Sequence, residues 1–439
     1  MNLGRSTVGG RSRALPGLLA LGGLFVTALV ALFQSYRSHR SIRETRPPDD
    51  APLPLPPPHV SIILPVRNEE TNLNACVASL LAQDYPDFDL TIIDDGSSDA
   101  TPRLLAGLSE HDPRIQVHRV DQLPTGWAGK PHALHTGATH TAGEWLLFTD
   151  ADTRHAPQTL RLMIGHALGQ QDDLLSMCTN LMTMSGSAMP LLMPLSEVLL
   201  AHRLTPSEVR DPEFPHAFAF GQYILLRREA YFATGGYAAS YMRTTFIDDL
   251  ALADQFKHYG KRVELVNGRG LVMNRQWSTW KSARQGWGKS AYSEVVRLRV
   301  PLPAIPAAAL ALMLYGLGPL IALIYALRTG KTRRLSTLLA GVTLLAQVDA
   351  KRCFDREHEL PIPWSLTAPL GWAIFGVMVL DVARLILTGH GASWKGRQIH
   401  IPSHISKQCP SVSGASDVLQ QEESANQPSG PDTHTEMAS

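Results

Sequence analysis

Two aspartates separated by a single alanine, Asp150 and Asp152, follow the apolar run Trp145–Phe148 and one threonine. An apolar run bounded by polar residues predicts a buried strand, and open α/β sheets place ligands at the carboxyl ends of their strands. Carboxylate oxygens suit a hard cation such as Mg²⁺ or Mn²⁺, whose coordination a substrate diphosphate can complete. For this pair taken alone, a solvated turn or a helix N-cap before Pro157 is the alternative.

A second acidic cluster, DDGSSD over 94–99, follows another apolar segment. Residues 59–65 and 89–93 are predicted strands joined by an amphipathic stretch over 69–83, which is the pattern of a βαβ unit. Asp94 and Asp95 can accept hydrogen bonds from a nucleobase or a ribose, whereas a plain turn is the alternative. In a parallel sheet both acidic clusters would lie at the same edge.

Between the two clusters, the glycines of GWAGK over 126–130 precede a predicted helix over 131–142. Glycines before a helix let the backbone approach an anion, and Lys130 could neutralise phosphate charge there. Proline follows the lysine where a Walker motif requires serine or threonine, which disfavours a Walker-type NTPase. A surface lysine is the alternative.

The composition is that of a globular part with membrane segments, because 44% of the 439 residues are hydrophobic and the net charge is only +1. No charge excess points to nucleic acid. Residues 14–33, 302–327 and 362–380 are long and apolar enough to cross a bilayer core of about 30 Å. A cleaved signal peptide is the alternative for the first. The apolar stretch 335–348 is short, which leaves two or three carboxyl-terminal spans open.

Two stretches indicate contact with a lipid. Residues 187–204 are apolar and interrupted by prolines, which fits either the bilayer interface or the core of the domain. Residues 277–299 combine three tryptophans with several basic residues, a composition suited to the headgroup region. The four cysteines are far apart, so neither a zinc site nor a disulfide framework is predicted.

Taken together, DDGSSD, GWAGK, AGEWLLFTDADT, FGQYILLRREAYFATGGY and FIDDLA resemble the motifs of family 2 glycosyltransferases with the GT-A fold. The resemblance covers about residues 60–300. Within the family the chain is most similar to membrane-bound enzymes that glycosylate lipids, of the hopanoid-associated and carotenoid types, and more distantly to ceramide glucosyltransferases. It implies an α/β fold with a mostly parallel sheet and helices on both faces, joined to transmembrane helices.

The resemblance implies a role for each matching residue. Asp94, Asp95 and Lys130 would bind the nucleotide-sugar donor, Asp150 would contact the ribose or the metal, and Asp152 would bind the metal. Asp249 would be the general base, although a helix N-cap is its structural alternative. The further candidate contacts to donor or acceptor are Asp248, Gly221, Gln222, Arg275, Gln276 and Trp277. Packing and turn roles are equally open for Gly221 and Gln222.

The implied function is inverting, Mg²⁺- or Mn²⁺-dependent transfer of one sugar from a nucleotide-sugar, expected to be UDP-linked, to a lipid or isoprenoid hydroxyl. Polymerising family members carry QxxRW where this chain has MNRQW over 273–277, so a processive synthase is disfavoured. Synthesis of a polyprenyl-phosphate sugar or of a short extracellular glycan is the enzymatic alternative. A nucleotide-sugar-binding membrane scaffold is the non-enzymatic one.

The expected organisation is an amino-terminal anchor over 1–46, a stiff proline-rich linker over 47–58 and a GT-A domain with interfacial helices over 59–300. Carboxyl-terminal transmembrane helices follow over 301–390, and a WKGR element with a disordered tail occupies 391–439. Arginines flank the first span with a small excess after it, which favours an inner-membrane protein with a cytoplasmic catalytic domain.

Overall fold

The computed structural model describes residues 11–182, 186–245, 247–275, 279–297, 300–330, 334–388, 392–394 and 397–399. Its strands are β1 Val60–Val66, β2 Phe88–Asp94, β3 Ile115–Arg119, β4 Trp145–Phe148, β5 Thr153–His155, β6 Leu174–Cys178, β7 Asn180–Leu181, β8 Ile224–Arg227, β9 Val263–Asn267, β10 Val272–Asn274, β11 Ala392–Trp394 and β12 Arg397–Ile399. The predicted tail and the central Lys-Gly of the WKGR element lie outside the described residues.

Helices separate most of the strands. They are α1 Arg11–Glu44, α2 Leu73–Leu81, α3 Thr101–His111, α4 Gly129–His140, α5 Thr159–Gln170, α6 Ala188–Arg203, α7 Pro206–Arg210, α8 Arg228–Ala233, α9 Asp248–His258, α10 Trp280–Arg297, α11 Ala304–Thr329, α12 Leu335–Glu357 and α13 Ala368–Leu387. Short 3₁₀ turns cover Gly236–Ala238 and Ile362–Thr367.

Seven strands form the central sheet in the order β3-β2-β1-β4-β8-β6-β9. The pairs β1–β2, β1–β4, β2–β3 and β6–β9 are parallel, whereas β8 is antiparallel to both β4 and β6. Alternate residues of β1 face opposite layers: Ile62 packs in the cluster that contains α2 and α5, and Ile63 packs in the cluster that contains α4 and α9. The predicted α/β fold with a mostly parallel sheet and helices on both faces is confirmed.

A second, three-stranded sheet has the order β5-β10-β7. In this sheet β10 is antiparallel to β5 and parallel to β7. Through the pairing of β5 with β10, the segment that follows Asp150-Ala151-Asp152 (the DAD motif) is hydrogen-bonded to residues 272–274. The small sheet therefore supports one side of the loop that carries Asp150 and Asp152.

The proline-rich segment lies against α5. The backbone N–H of Asp49 donates a hydrogen bond to His166 Nδ1 at 2.8 Å, and Asp50 forms an ion pair with Arg161 at 2.7 Å. A Cβ placed on Gly165 would come within 2.4 Å of the Ala51 carbonyl oxygen. The linker is therefore docked along a helix of the globular part, where the sequence predicted a stiff spacer.

Within the described part of the chain, three helical segments are long and apolar enough to cross a membrane: Leu19–Glu44, Ala304–Thr329 and Ile362–Leu387. The helices that contain the last two pack closely, because a Cβ on Gly316 would lie 2.3 Å from the Pro369 carbonyl oxygen. The short stretch at 335–348 is part of α12, which continues to Glu357. α6 buries its apolar face in one cluster with residues of α1, α12 and α13. The stretch 187–204 thus joins the globular part to these helices.

Candidate active site

Two acidic loops lie at the same edge of the central sheet. β2 ends at Asp94, β4 ends at Phe148, and β1 is the parallel neighbour of both. Because parallel strands end at the same edge, the loop after β2 and the loop after β4 flank the end of β1. The structure thus brings the two predicted acidic clusters to one crevice.

Both carboxylate oxygens of Asp94 have partners inside the protein. Oδ1 accepts a hydrogen bond from the Ser97 N–H at 2.8 Å, and Oδ2 forms an ion pair with Arg119 at 3.0 Å. Asp95 is also buried, and its carbonyl oxygen accepts a hydrogen bond from Arg67. Asp94 therefore holds the loop in shape and positions its neighbour Asp95.

Lys130 lies among the carboxylates that the sequence singled out. α4 begins at Gly129 and not at the predicted residue 131, so the lysine lies in its first turn. Its Nζ is 2.7 Å from Asp150 Oδ1 and 3.3 Å from Asp248 Oδ2. Although burial opposes the charged form, these carboxylates and Asp249 raise the pKa of Lys130. A protonated ammonium therefore links the strand-end loop to the start of α9.

Asp249 is held in a defined orientation by two backbone donors. α9 begins at Asp248, so Asp249 lies in the first turn and is not the N-cap. Its Oδ1 accepts the Leu250 N–H at 2.9 Å, and its Oδ2 accepts the Gly221 N–H at 3.0 Å. Burial and the neighbouring Asp248 raise the pKa of the Asp249 carboxyl, while Lys130 opposes them. Such a carboxylate suits proton transfer nearer neutral pH than an ordinary aspartate does.

Gly221 lies between Lys130, Asp150 and Asp249, where there is little room for a side chain. A Cβ on this residue would lie 3.0 Å from Lys130 Nζ and 3.4 Å from both Asp150 Oδ2 and Asp249 Oδ2. It reaches this position because β8 runs antiparallel to β4, with Ile224 opposite Phe148. The start of β8 therefore lies at the edge where β4 ends. Close approach explains the glycine, whereas Gly235 and Gly236 have positive φ angles of 81° and 48° and belong to a turn.

Gly221→Ala is expected to lower kcat/KM for sugar transfer about tenfold without unfolding the protein. The φ of Gly221 lies outside the left-handed region, so alanine is compatible with the backbone, but its Cβ crowds the ammonium and the carboxylates. The matched control is Gly107→Ala on α3, where a Cβ meets nothing within 4 Å. Equal activity of the two variants, with equal thermal stability, would contradict this placement.

Buried polar groups hold the loop that contains the DAD motif in place by hydrogen bonds. The Thr149 hydroxyl donates to the Gln222 carbonyl at 2.7 Å, and the Thr153 hydroxyl donates to the Asp150 carbonyl at 2.7 Å. His155 Nε2 lies 3.1 and 2.9 Å from these two hydroxyls. Because each hydroxyl has already donated its single proton, both accept from His155 Nε2–H. Burial lowers the pKa of His155 to about 3, so the ring is neutral.

The sequence did not identify His155 as a support for the loop. The only feature of the sequence that could have indicated this role of His155 is the pair of threonines that flank the DAD motif, Thr149 and Thr153.

Arg275 was a predicted contact. Its backbone N–H donates to the Asp152 carbonyl at 2.8 Å, while its side chain is exposed. Gln222 is half-buried beside Gly221. Gln276 and Trp277, also predicted contacts, lie outside the described residues.

Lys289 of α10 lies within electrostatic range of the same carboxylates. Burial lowers the pKa of its ammonium, and the charges that act on it are those of Asp248, Lys130, Asp249 and Asp150. The sequence had counted this lysine only among the basic residues of an interfacial stretch. The charge of Lys289 on α10 therefore interacts with the carboxylate cluster.

The donor set at the strand end fits a divalent cation. Asp150 and Asp152 supply carboxylate oxygens, the ligands that Mg²⁺ and Mn²⁺ prefer. Lys130 occupies Asp150 Oδ1, while Asp150 Oδ2 faces Gly221. The residues present are therefore compatible with a metal held beside a diphosphate.

A buried group elsewhere, His166, Asp172 and Glu264, also has ligand atoms within 4.8 Å of one another. Here the Asp49 N–H donates to His166 Nδ1, so in the neutral ring Nε2 carries the proton and has no lone pair for a metal. Burial and Glu264 raise the pKa of Asp172 to about 7. This cluster is better described as a buried group of charges than as a metal site.

Comparison with known proteins agrees with this geometry. Residues 61–232 match the family model described as glycosyl transferase family 2. The 4,4'-diaponeurosporenoate glycosyltransferases of Staphylococcus aureus strains USA300 and NCTC 8325 are each 28% identical over 239 residues, which cover 52% of this chain and 60% of the relative. The chain thus matches somewhat over half the length of these relatives.

A solved structure shares the fold. The mannosyltransferase PcManGT from Pyrobaculum calidifontis, in complex with GDP-Man and Mn²⁺, superposes with a TM-score of 0.51 at 18% identity. The superposition covers 84% of this chain and 97% of that one. The sheet order, the acidic strand ends and these matches lead to one assignment: residues 61–232 are a family 2 glycosyltransferase domain with the GT-A fold.

Proposed function

We propose that this protein transfers a single sugar from a nucleotide-sugar to a lipid or isoprenoid hydroxyl at the membrane. The donor is expected to be a UDP-sugar, and the transfer inverts the configuration of the anomeric carbon. The observation that carries the proposal is the meeting of Lys130, Asp150, Asp248 and Asp249 around Gly221 at the strand ends. A base, a cation and a carboxylate pair suited to a metal are the parts that such a displacement needs.

On the donor side, Asp95 would accept hydrogen bonds from the base of the nucleotide, in a loop that Asp94 and Arg119 hold in place. Lys130 lies between the Asp150 loop and α9. Its ammonium, which pairs with the protein carboxylates, would also pair with the negative charge on the leaving diphosphate. Asp150 and Asp152 would hold Mg²⁺ or Mn²⁺. When bound, the metal would stabilise the charge that develops on the nucleoside diphosphate.

On the acceptor side, Asp249 would remove the proton from the attacking hydroxyl. Its two backbone hydrogen bonds fix the carboxylate, and each oxygen keeps a further lone pair for the acceptor. Attack from the side opposite the leaving group produces the inverted anomer. Asp248 would contribute charge and not proton transfer, since it lies against Lys130.

Two features support a lipid acceptor. Among the residues that the structure describes, three helices are apolar and long enough to span a membrane. Helix α10, whose Lys289 is within electrostatic range of the carboxylates, packs against α13 through Trp287 and Phe375, whose ring centroids are 5.6 Å apart. The S. aureus relatives are named for a carotenoid-type acid, diaponeurosporenoate, which is the acceptor class expected for a site at the membrane. We further propose an inner-membrane location with the catalytic domain in the cytoplasm.

The test uses the purified full-length protein in neutral detergent with Mn²⁺ or Mg²⁺, a panel of UDP- and GDP-sugars, and a lipid extract from the native host. Mass spectrometry should find a lipid that gains one hexose mass, and NMR of the product should show the anomer opposite to the donor's. No consumption of any nucleotide-sugar would refute the enzymatic proposal. Products with several sugars per lipid would refute single transfer.

A further inference from the structure

A cleft between α10 and α13 is lined by an unusual concentration of positive charge. Its volume is about 440 Å³, within the range of roughly 300–1,000 Å³ typical of small-ligand pockets. The charged residues among those that line it are Lys281, Arg284, Lys289, Arg384 and Asp381. Four cations therefore share the cleft with one carboxylate.

The single carboxylate holds two of the cations in place. Asp381 accepts hydrogen bonds from Arg284 at 2.9 and 2.6 Å and from Arg384 at 2.9 Å. Its charge is balanced by these partners, so the cleft keeps a net positive charge. Cations gathered in a concave site repel one another, and an anionic ligand would offset that repulsion.

The position of the cleft restricts the kind of anion. Asp381 and Arg384 lie in the last two turns of α13, at one end of the candidate span Ile362–Leu387. Trp280 and Leu385 complete its apolar lining. Arginine, lysine and tryptophan at the end of a span form the usual environment of lipid headgroups.

One residue connects the cleft with the active site. Lys289 lines the cleft and also lies within the electrostatic reach of the catalytic carboxylates. An anion bound here would therefore interact through Lys289 with the charges of the proposed active site.

From this geometry we propose that the α10–α13 cleft binds the acidic headgroup of a lipid, a phosphate or carboxylate attached to an apolar chain. Either a phospholipid of the bilayer or an acidic acceptor supplies that chemistry. The binding itself does not depend on the proposed sugar transfer and is measured without a nucleotide-sugar.

The test is native mass spectrometry of the full chain in neutral detergent, titrated separately with dioleoyl phosphatidylglycerol, dioleoyl phosphatidylcholine, oleate and methyl oleate. At least one acidic lipid should bind about tenfold more tightly than its neutral counterpart, because charge-assisted hydrogen bonds are lost in the neutral lipid. Higher salt should weaken this preference.

Lys281→Gln and Arg284→Gln should each reduce the affinity for the acidic lipid several-fold, and together by more than tenfold. Lys281 is exposed, so its replacement leaves the packing of the helices intact. The matched control is Arg43→Gln, an exposed arginine in the last turn of α1, which should bind like wild type.

The lipid that binds identifies the source of the headgroup. Phosphatidylglycerol binding assigns the cleft to a bilayer phospholipid, whereas oleate binding without phosphatidylglycerol assigns it to a single-chain acidic lipid such as an acceptor. Equal affinity for acidic and neutral lipids, or equal loss in Arg43→Gln and the cleft variants, would overturn the proposal.

Discussion

Replacing Asp249 with asparagine is expected to lower kcat for sugar transfer about a thousandfold. General bases contribute on the order of 10²–10⁴ in rate, and an amide cannot accept the proton of the acceptor hydroxyl. The fold should survive, because the substitution removes one of several carboxylates crowded around Lys130. The amide has only one acceptor oxygen for the two backbone N–H groups that donate to Asp249, so thermal stability should fall slightly.

The matched control is Glu110→Gln, the same chemical change at an exposed position on α3, which should retain full activity. The wild-type pH profile gives a second readout. Burial and Asp248 raise the pKa of Asp249 in the free protein. Because the base must be deprotonated, kcat/KM should fall with decreasing pH at a higher pH than an ordinary aspartate would impose. Near-wild-type transfer by Asp249→Asn would assign the base elsewhere.

Removal of divalent metal is expected to stop transfer, and Asp152→Asn is expected to lower kcat at least about a hundredfold. Metal stabilisation of a leaving diphosphate is worth several kcal/mol, and an amide is a poorer ligand for a hard cation than a carboxylate. The variant should also need a much higher Mn²⁺ or Mg²⁺ concentration for half-maximal activity. Titration of each metal into EDTA-treated protein measures both effects.

Asp172→Asn is the matched control for the metal site. This carboxylate belongs to the buried His166 cluster, and burial together with Glu264 raises its pKa to about 7. Asparagine resembles the protonated form, so the fold should tolerate it and the metal dependence should not move. If Asp172→Asn shifted the metal requirement and Asp152→Asn did not, the functional metal would belong to the His166 cluster, and the placement at Asp152 would be contradicted.

The order of buried strands and intervening helices could be predicted because apolar runs and amphipathic stretches alternate along residues 59–148. Parallel neighbours end at one edge, so the sequence also predicted that the loops after β2 and β4 would meet. The direction of β8 could not be predicted. Its short apolar sequence has no preference for either orientation, yet its reversal is what places Gly221 beside Asp150.

The amino-acid sequence by itself determined the fold class, the acidic strand ends, the spans and the identity of Lys130 and Asp249 as residues of interest. The fold class, the strand ends and the candidate spans depend on local patterns of apolar and charged residues, whereas the interest of Asp249 came from the resemblance to family 2 glycosyltransferases. The tertiary structure alone decided that Asp249, Gly221 and Lys130 lie together, that Lys289 of α10 is within electrostatic range of them, and that four cations meet at the end of α13. These contacts join segments far apart in the chain, and their distances depend on the packing of the whole sheet and of the helices against it.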